Sequence, residues 1–391
     1  SGGARKEGTI PHHHYFVWLD QVVAANLQDL FPGLEVVAAH PFRVVRDADV
    51  EIQELEADDL LETMQQSIRK RKFGSVVQVA LHPTMPDHIR ELLVENLEVF
   101  NNDVYTLNHP LGFAHLMQLY NNVERYDLKY PPYKPRIPKA LRFIEKPPDF
   151  FETIRTGNIL LHHPYDSFAP VIDFLNAAAR DPDVLAIKLS VYRVGSNAPV
   201  VDALLEAVER GKQVAVLVEL KARFDEESNI GWARALEQAG VHVVYGLVGL
   251  KTHCKTTMVV RKEGEGIRRY LHLATGNYNA VTSRIYEDFG MFTCDEDMGA
   301  DATDLFNYLT GYSTKQSYRK LLVAPVNLRE SIETLIKREI EHARAGHKAR
   351  LIFKMNSLVD PRMIQLLYEA SQSGVKVDLL VRGMCCLRPG I

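Results

Sequence analysis

A histidine and a lysine that could act together on phosphate lie two positions apart in the segment 250–255, LKTHCK. The segment follows a loop with Gly246 and Gly249 and enters a β-rich run, so His253 and Lys255 should point to the same side of the strand. Lys255 could then neutralise a phosphate while the neutral imidazole of His253 attacks phosphorus and forms a phosphoramidate. An isolated H-x-K tripeptide is more often a plain loop histidine. The neighbouring strands therefore decide between the two interpretations.

Two arginines follow the predicted strands that precede this segment. Arg193 comes after the apolar run 184–191, and Arg223 comes after the apolar run 214–218. The step along the chain from Arg193 to Arg223 equals the step from Arg223 to His253, which indicates strand ends at one edge of a parallel sheet. Guanidinium groups at that edge would bind phosphoryl oxygens in a bidentate manner. The alternative for Arg223 is simple pairing with the acidic residues that follow it at a helix N-terminus.

Three more residues complete the candidate site. Asn277 lies in the turn 274–279, ATGNYN, where amide side chains and exposed N–H groups can hold an oxyanion or orient the histidine. Tyr286 could stack on a base or bind a phosphate, and Arg382 follows a predicted strand at 375–381. Each of the three would be interpreted as structural if it stood alone.

The elements that must position these residues alternate between strand and helix from about residue 151 onward, which predicts an α/β fold with parallel strands. A similar unit starts near residue 326 with a long helix. The predicted strands of this region are 184–191, 214–218, 241–245, 256–261, 269–274, 351–355 and 375–381. Residues 12–126 instead predict a mixed unit, with helices at 54–71, 87–97 and 113–120 and a strand at 76–81.

A cluster of six prolines between residues 131 and 148 disfavours both helix and central strand, and so predicts a boundary. The predicted domains are 1–126, a linker 127–150, a catalytic domain 151–325, and a truncated further domain 326–391. Within the last two, a helix, glycine and strand pattern recurs at a constant offset, so that Gly374 and Val381 correspond to Gly211 and Val218. Such a pattern also arises by chance in α/β proteins. If it is a duplication, the counterpart of His253 lies beyond Ile391.

The overall composition excludes several classes of protein. A formal net charge of -4 and a pI near 6.4 provide no general cationic field, so nucleic acid is not an expected partner. The four cysteines have neither disulfide-framework nor zinc spacing, which fits a reducing cytoplasm. The N-terminal stretch lacks the apolar core of a signal peptide, and no run reaches the roughly 18 apolar residues that span a bilayer.

The chain resembles the type 1 polyphosphate kinase family through six strings in family order and spacing. They are DPDVLAIKLSVYRVGSN, GKQVAVLVELKARFDEESNIGWARALEQAGVHVVYG, LKTHCK, ATGNYNA, RIYEDFG and LLVRGMC. The resemblance extends from about Tyr15 to the C-terminus and is strongest between Ile159 and Leu309. It implies a mixed α+β middle domain in the first part of the chain, followed by two phospholipase D-like α/β domains.

The resemblance also implies an activity, which is reversible transfer of the ATP γ-phosphoryl group to inorganic polyphosphate through a phosphohistidine at His253. It makes Tyr286 and Arg382 nucleotide contacts, and it makes Arg193 and Arg223 the positions associated with Mg²⁺. Because a guanidinium is not a plausible Mg²⁺ ligand, both arginines are expected to contact the phosphates that the ion bridges. The implied partners are ATP, ADP and polyphosphate, with a homo-oligomer at full length.

Two other functions stay open at this point. Relative to the family, the chain lacks an N-terminal helical domain and most of the last domain, with its second essential histidine, so an inactive fragment is one alternative. A phospholipase D-type phosphodiesterase or nuclease would also use a histidine beside a lysine. The usual motif of that class has an aspartate five residues after the lysine, where this chain has Val260.

Overall fold

A computed structural model describes most of the chain and divides it into two compact units. The described residues are 13–47, 74–193, 199–220, 226–247, 249–311 and 317–391. One unit contains Ser1–Arg136, Leu220–Gly231 and Val248–Leu250, and the other contains Ile137–Glu219, Trp232–Leu247 and Lys251–Ile391. The helix predicted at 54–71 and the candidate Arg223 lie outside the described residues.

The first unit contains a three-stranded sheet in the order β1-β2-β3. Its strands are β1 (Phe42–Arg46), β2 (Val76–Leu81) and β3 (Val104–Thr106), and its helices are α1 (Leu19–Ala25), α2 (Leu27–Leu30), α3 (Asp87–Asn96) and α4 (Leu116–Asn122). The predicted strand 76–81 is confirmed, and α3 ends one residue before the predicted end. At 113–120 the prediction was partly wrong, because Phe113–His115 forms a 3-10 turn and the α-helix starts only at Leu116.

The second unit contains a seven-stranded sheet in the order β4-β10-β9-β8-β5-β6-β7. Its strands are β4 (Ile159–His163), β5 (Val184–Val191), β6 (Gln213–Val218), β7 (His242–Tyr245), β8 (Lys255–Glu263), β9 (Gly266–Ala274) and β10 (Asp288–Thr293). The helices in this part of the chain are α5 (Pro147–Arg155), α6 (Ala169–Arg180), α7 (Pro199–Glu209), α8 (Glu226–Gln238) and α9 (Glu296–Leu309). The α/β fold class that the alternation predicts is confirmed.

The sheet is mixed, so the prediction of parallel strands was wrong for more than half of it. Strands β5, β6 and β7 pair in parallel, whereas β8 runs antiparallel to β5, and β9, β10 and β4 continue antiparallel. The physical reason is the turn between β8 and β9, where Glu263 pairs with Gly266. Gly264 has a φ of 59° there, and so short a turn can only connect antiparallel neighbours.

Apolar side chains cover both faces of this sheet, which explains the nearly continuous hydrophobic runs in its strands. On one face, Met258 and Leu271 pack against Leu305 and Phe306 of α9. On the other face, Tyr270 of β9 packs edge-on against a ring of α5, 4.8 Å between centroids. Because these strands are buried on two sides, most of their residues are apolar, and the candidate residues Arg193 and His253 lie just beyond strand ends.

The predicted linker contains the start of a helix. α5 begins at Pro147, inside the proline cluster that was expected to disfavour helix. Proline is tolerated in the first turn because the missing N–H has no intrahelical partner there, and its φ already suits a helix. The prolines therefore mark the beginning of the element.

A second set of elements repeats the first. It consists of α10 (Leu328–Arg344), β11 (Arg350–Met355), α11 (Pro361–Gln372) and β12 (Lys376–Val381), and β11 pairs with β12 in parallel, as β5 pairs with β6. The first and last residues of β12 correspond to those of β6 at the same constant offset as in the sequence pattern. The recurrence is thus present in the backbone as well as in the residues. No described helix is both long and apolar enough to cross a membrane.

Candidate active site

His253 and Arg193 lie at the same edge of the sheet, for a reason that differs from the predicted one. Arg193 follows β5, as predicted, but His253 comes just before β8 and does not end a strand. Because β8 is antiparallel to β5, with Leu189 opposite Thr257, the start of β8 lies beside the end of β5. The antiparallel pairing of β8 with β5, and not the even spacing along the chain, places His253 near Arg193.

Hydrogen bonds hold the backbone on both sides of the histidine. The N–H of Thr252 donates to Oε2 of the buried Glu219 at 2.6 Å. On the other side, the hydroxyl of the buried Ser190 donates to the carbonyl of Cys254 at 3.0 Å and accepts from the N–H of Thr256 at 3.1 Å. Strands β5 and β6 thereby fix the segment that carries His253, and such preorganisation is what a nucleophile requires.

The ring of Tyr192 is the centre of the site. The imidazole of His253 packs edge-to-face with it at 4.9 Å between centroids. Three cations lie over the same ring, with Nζ of Lys255 at 4.9 Å, Cζ of Arg193 at 5.4 Å and Nζ of Lys251 at 5.7 Å from its centroid. Lys255 also donates to the carbonyl of His253 at 2.6 Å. His253 and Lys255 therefore do face the same side, as predicted.

The cations change the protonation of the site. Partial burial of the ring, followed by the charges of Lys255, Lys251 and Arg193, lowers the pKa of His253 below its ordinary value. Burial lowers the pKa of Lys255 to about 8, against the opposing effect of Asp288. Near neutral pH the imidazole is consequently unprotonated and able to attack phosphorus, while Lys255 remains mostly charged and can attract phosphate.

The turn that contains Asn277 lies at the same edge, because Ala274 at the end of β9 pairs with Lys255 at the start of β8. Gly276 packs directly on Asp288, so that a Cβ atom there would be 2.7 Å from the aspartate Cγ. The buried Oδ1 of Asn277 has no hydrogen-bond partner among the described residues. An unsatisfied buried acceptor is unusual, and it agrees with a side chain kept for a ligand or for a neighbouring group.

Tyr286 and Arg382 are brought together, although they are far apart in sequence. Cζ of Arg382, one residue after β12, lies 5.9 Å from the centroid of the Tyr286 ring. Beside them, Nζ of Lys354 donates to the carbonyl of Glu287 at 3.3 Å. Among the described contacts, neither Tyr286 nor Arg382 forms a hydrogen bond or ring contact with His253. The pair forms an exposed aromatic and guanidinium surface of its own.

Three family models match successive parts of the chain. The middle domain of polyphosphate kinase matches residues 8–119, its C-terminal domain 1 matches 149–315, and its C-terminal domain 2 matches 321–391. The chain belongs to the polyphosphate kinase family. The resemblance seen in the motifs is thus confirmed.

Individual proteins similar to this chain are also polyphosphate kinases. Polyphosphate kinase 1 of Chlorobaculum tepidum is 52% identical over 384 residues, which are 98% of this chain and 54% of that protein. Polyphosphate kinase of Prosthecochloris aestuarii is 54% identical over 377 residues, which cover 96% and 52% of the two chains. The crystal structure of polyphosphate kinase from Porphyromonas gingivalis superposes with a TM-score of 0.80 at 32% identity, covering 96% of this chain and 54% of that one. The chain spans about half the length of these relatives.

Sequence reasoning assigned no role to four residues of the site, namely Tyr192, Lys251, Glu219 and Ser190. Tyr192 and Lys251 stood inside the motif strings, next to residues that were singled out. Ser190 and Glu219 end apolar strands, and a buried polar residue at the end of such a run was the available signal. Arg223 stays a prediction because it lies outside the described residues.

The described side chains do not fit a Mg²⁺ ion held by the protein alone. Within the described ranges, no group of three or more His, Cys, Asp and Glu side chains is placed to hold a metal. Arg193 presents a guanidinium, whereas Mg²⁺ requires oxygen ligands.

Proposed function

We propose that the protein to which this chain belongs is an ATP:polyphosphate phosphotransferase that works through phospho-His253. The observation that carries the proposal is the geometry at Tyr192, whose ring contacts the His253 imidazole and the cationic groups of Lys251, Lys255 and Arg193. A neutral nucleophile among fixed positive charges suits attack on a phosphoryl group, whose negative oxygens would repel an anionic nucleophile.

The transfer consists of two displacements. In the first, a ring nitrogen of His253 attacks the γ-phosphorus of ATP, the N–P bond forms, and the bond to the bridging oxygen breaks so that ADP leaves with both electrons. In the second, a terminal oxygen of polyphosphate attacks the same phosphorus and the N–P bond breaks. Both directions are accessible because each step exchanges one labile phosphate bond for another, and catalysis rests on positioning and charge.

Other residues are assigned to the substrates. Tyr286 and Arg382 are proposed to contact the nucleotide, since an exposed aromatic ring next to a guanidinium can stack on a base and bind a phosphate. Arg193 and Arg223 are proposed to bind the phosphoryl oxygens. Mg²⁺ belongs to the substrate in this proposal, because it arrives bound to the phosphates of ATP. The homo-oligomer and the cytoplasmic location stay predictions.

The phosphodiesterase alternative has less support. In that class an aspartate would occupy the position of Val260, and this valine packs with Met258 and Leu271 in the hydrophobic cluster under α9. Val260 is partly buried, so a carboxylate at this position would lie against apolar neighbours. Incubation with a phosphodiester such as bis(p-nitrophenyl) phosphate tests the alternative, since release of nitrophenol by the wild type and not by His253→Ala would favour it.

The decisive experiment follows the phosphoryl group. The protein is incubated with Mg²⁺ and γ-labelled ATP, quenched in alkali to preserve phosphohistidine, and digested for peptide mapping. Label is expected on the peptide with His253 in the wild type and absent from it in His253→Ala. A His347→Ala variant, which removes an exposed histidine elsewhere, serves as the matched control and should label like the wild type. Label on another peptide would contradict the proposal, whereas no label in the wild-type chain would favour the inactive-fragment alternative.

A further inference from the structure

Tyr192 contacts His253 and three cationic groups of the candidate site, those of Lys251, Lys255 and Arg193. Its ring is 9% exposed, whereas the His253 side chain is exposed. We propose that Tyr192 is a positioning residue whose ring orients the His253 imidazole and gathers Lys251, Lys255 and Arg193 into one phosphate-binding group. The proposal rests on the proposed function, and it adds the device that holds the nucleophile and the cations together.

The first step of the argument concerns the repulsion between the cations. Three positive groups share a single ring, none farther than 5.7 Å from its centroid, and their mutual repulsion must be offset. Carboxylates usually do this in proteins. Among the residues that the structure describes, however, neither Lys251 nor Lys255 forms a salt bridge. The negative face of an aromatic ring attracts cations instead, and here it serves both lysines and an arginine.

The second step concerns the substrate. A carboxylate that paired with these cations would occupy their N–H donors and would repel an incoming phosphate. An aromatic face attracts Lys251 and Lys255 without accepting their strong hydrogen bonds, so that ammonium N–H groups other than the one that Lys255 donates to the carbonyl of His253 can bind phosphoryl oxygens. A ring is therefore better suited than an acid to hold a polyanion site together before the polyanion arrives.

The third step concerns the nucleophile. The planes of Tyr192 and His253 are 75° apart, an edge-to-face arrangement that aromatic pairs favour. Tyr192 directly follows β5, where the carbonyl of Val191 accepts from the N–H of Glu219 at 2.9 Å, so the ring extends from a fixed backbone. An exposed imidazole with no such neighbour would sample several rotamers, whereas this contact restricts it.

The test compares Tyr192→Phe, which keeps the ring, with Tyr192→Leu, which keeps apolar bulk and removes the ring. Labelling of His253 by γ-labelled ATP is measured as an initial rate in the 391-residue chain. The Phe variant is expected within about threefold of the wild type and the Leu variant at least about tenfold slower, because three cation–π contacts are lost together. Far-UV circular dichroism confirms folding, and Tyr192→Met replaces the Leu variant if that one unfolds.

A second readout does not depend on activity. In protein labelled with ¹³C-histidine, the imidazole resonances of His253 are assigned with His253→Gln and compared among the variants. Loss of the ring current should shift them in the Leu variant and not in the Phe variant. Unchanged resonances in the Leu variant, or a labelling rate equal to that of the wild type, would overturn the positioning role. If the wild type itself takes up no label at His253, the inactive-fragment alternative is favoured, and the resonances still decide the role of Tyr192.

Discussion

Replacing Ser190 by alanine would remove the hydroxyl that fastens the start of β8 to β5. Ser190 is 1% exposed, and its hydroxyl bridges the carbonyl of Cys254 and the N–H of Thr256, one on each side of Lys255. Alanine fits the same space but can make neither hydrogen bond. The variant therefore tests whether this bridge holds the segment that carries His253.

The magnitude follows from the two bonds. Each neutral hydrogen bond contributes about 1 kcal/mol net, and a buried N–H left without a partner costs about 1 to 3 kcal/mol. Thr256 is buried, so its donor would lose its partner away from solvent. We expect a loss of about 2 kcal/mol in the local free energy of opening, which corresponds to roughly 30-fold faster amide exchange.

Hydrogen exchange read by mass spectrometry is the suitable assay, because it reports the peptide 252–258 separately from the rest of a multi-unit chain. Ser371→Ala is the matched control, since it makes the same chemical change at an exposed helix position. The control should leave exchange in the peptide unchanged. If Ser190→Ala exchanges there as slowly as the wild type, the bridge does not stabilise the segment and the reasoning is refuted.

Three further predictions concern protonation and packing. Labelling of His253 should fall above about pH 8, because Lys255, with its pKa lowered to about 8, then loses its charge. Lys255→Arg should move that fall to higher pH. Burial lowers the pKa of His272 to about 3 in the folded chain, whereas in the unfolded chain this pKa is roughly 6.5. Below that pH the unfolded chain binds a proton that the folded chain does not, so the free energy of unfolding decreases as the pH falls. His272 alone should contribute a loss of about 2 kcal/mol between about pH 7 and about pH 5 in urea denaturation, so the dependence should be weaker in His272→Gln, where the buried His163 remains. Gly276→Ala should lower the thermal midpoint and slow the labelling of His253, because its Cβ would lie 2.7 Å from Cγ of Asp288 and overpacking of this kind costs about 1 to 3 kcal/mol.

Each of the three can fail in a recognisable way. A rate that falls at the same pH in Lys255→Arg would show that another group titrates. Equal pH dependence of stability in the wild type and in His272→Gln would remove His272 as its source. For the packing prediction the control is Gly231→Ala, a helical position where an added Cβ meets nothing within 4 Å. Equal midpoints for Gly276→Ala and this control would contradict the close approach to Asp288.

Much of the fold was predictable because apolar runs and glycine punctuation are local properties. The bounds of β5 agree with the prediction, and Gly211, with a φ of 78°, follows α7 as expected. The direction of β8 could not be predicted in the same way. The hydrophobic pattern of a strand is the same in both directions. Its direction in the sheet is set by contacts with neighbouring strands and by turn geometry.

The sequence by itself determined which chemistry is available. The types and order of His253, Lys255 and Arg193, within strings shared with a family, predict a phosphate site without coordinates. Only the tertiary structure decided how these groups meet, because an antiparallel return places the start of β8 beside the end of β5. The central position of Tyr192 was likewise decided only by the tertiary structure. The contacts of Tyr192 join residues that are far apart in sequence. Their distances are set by folding of the chain and cannot be found in local sequence patterns.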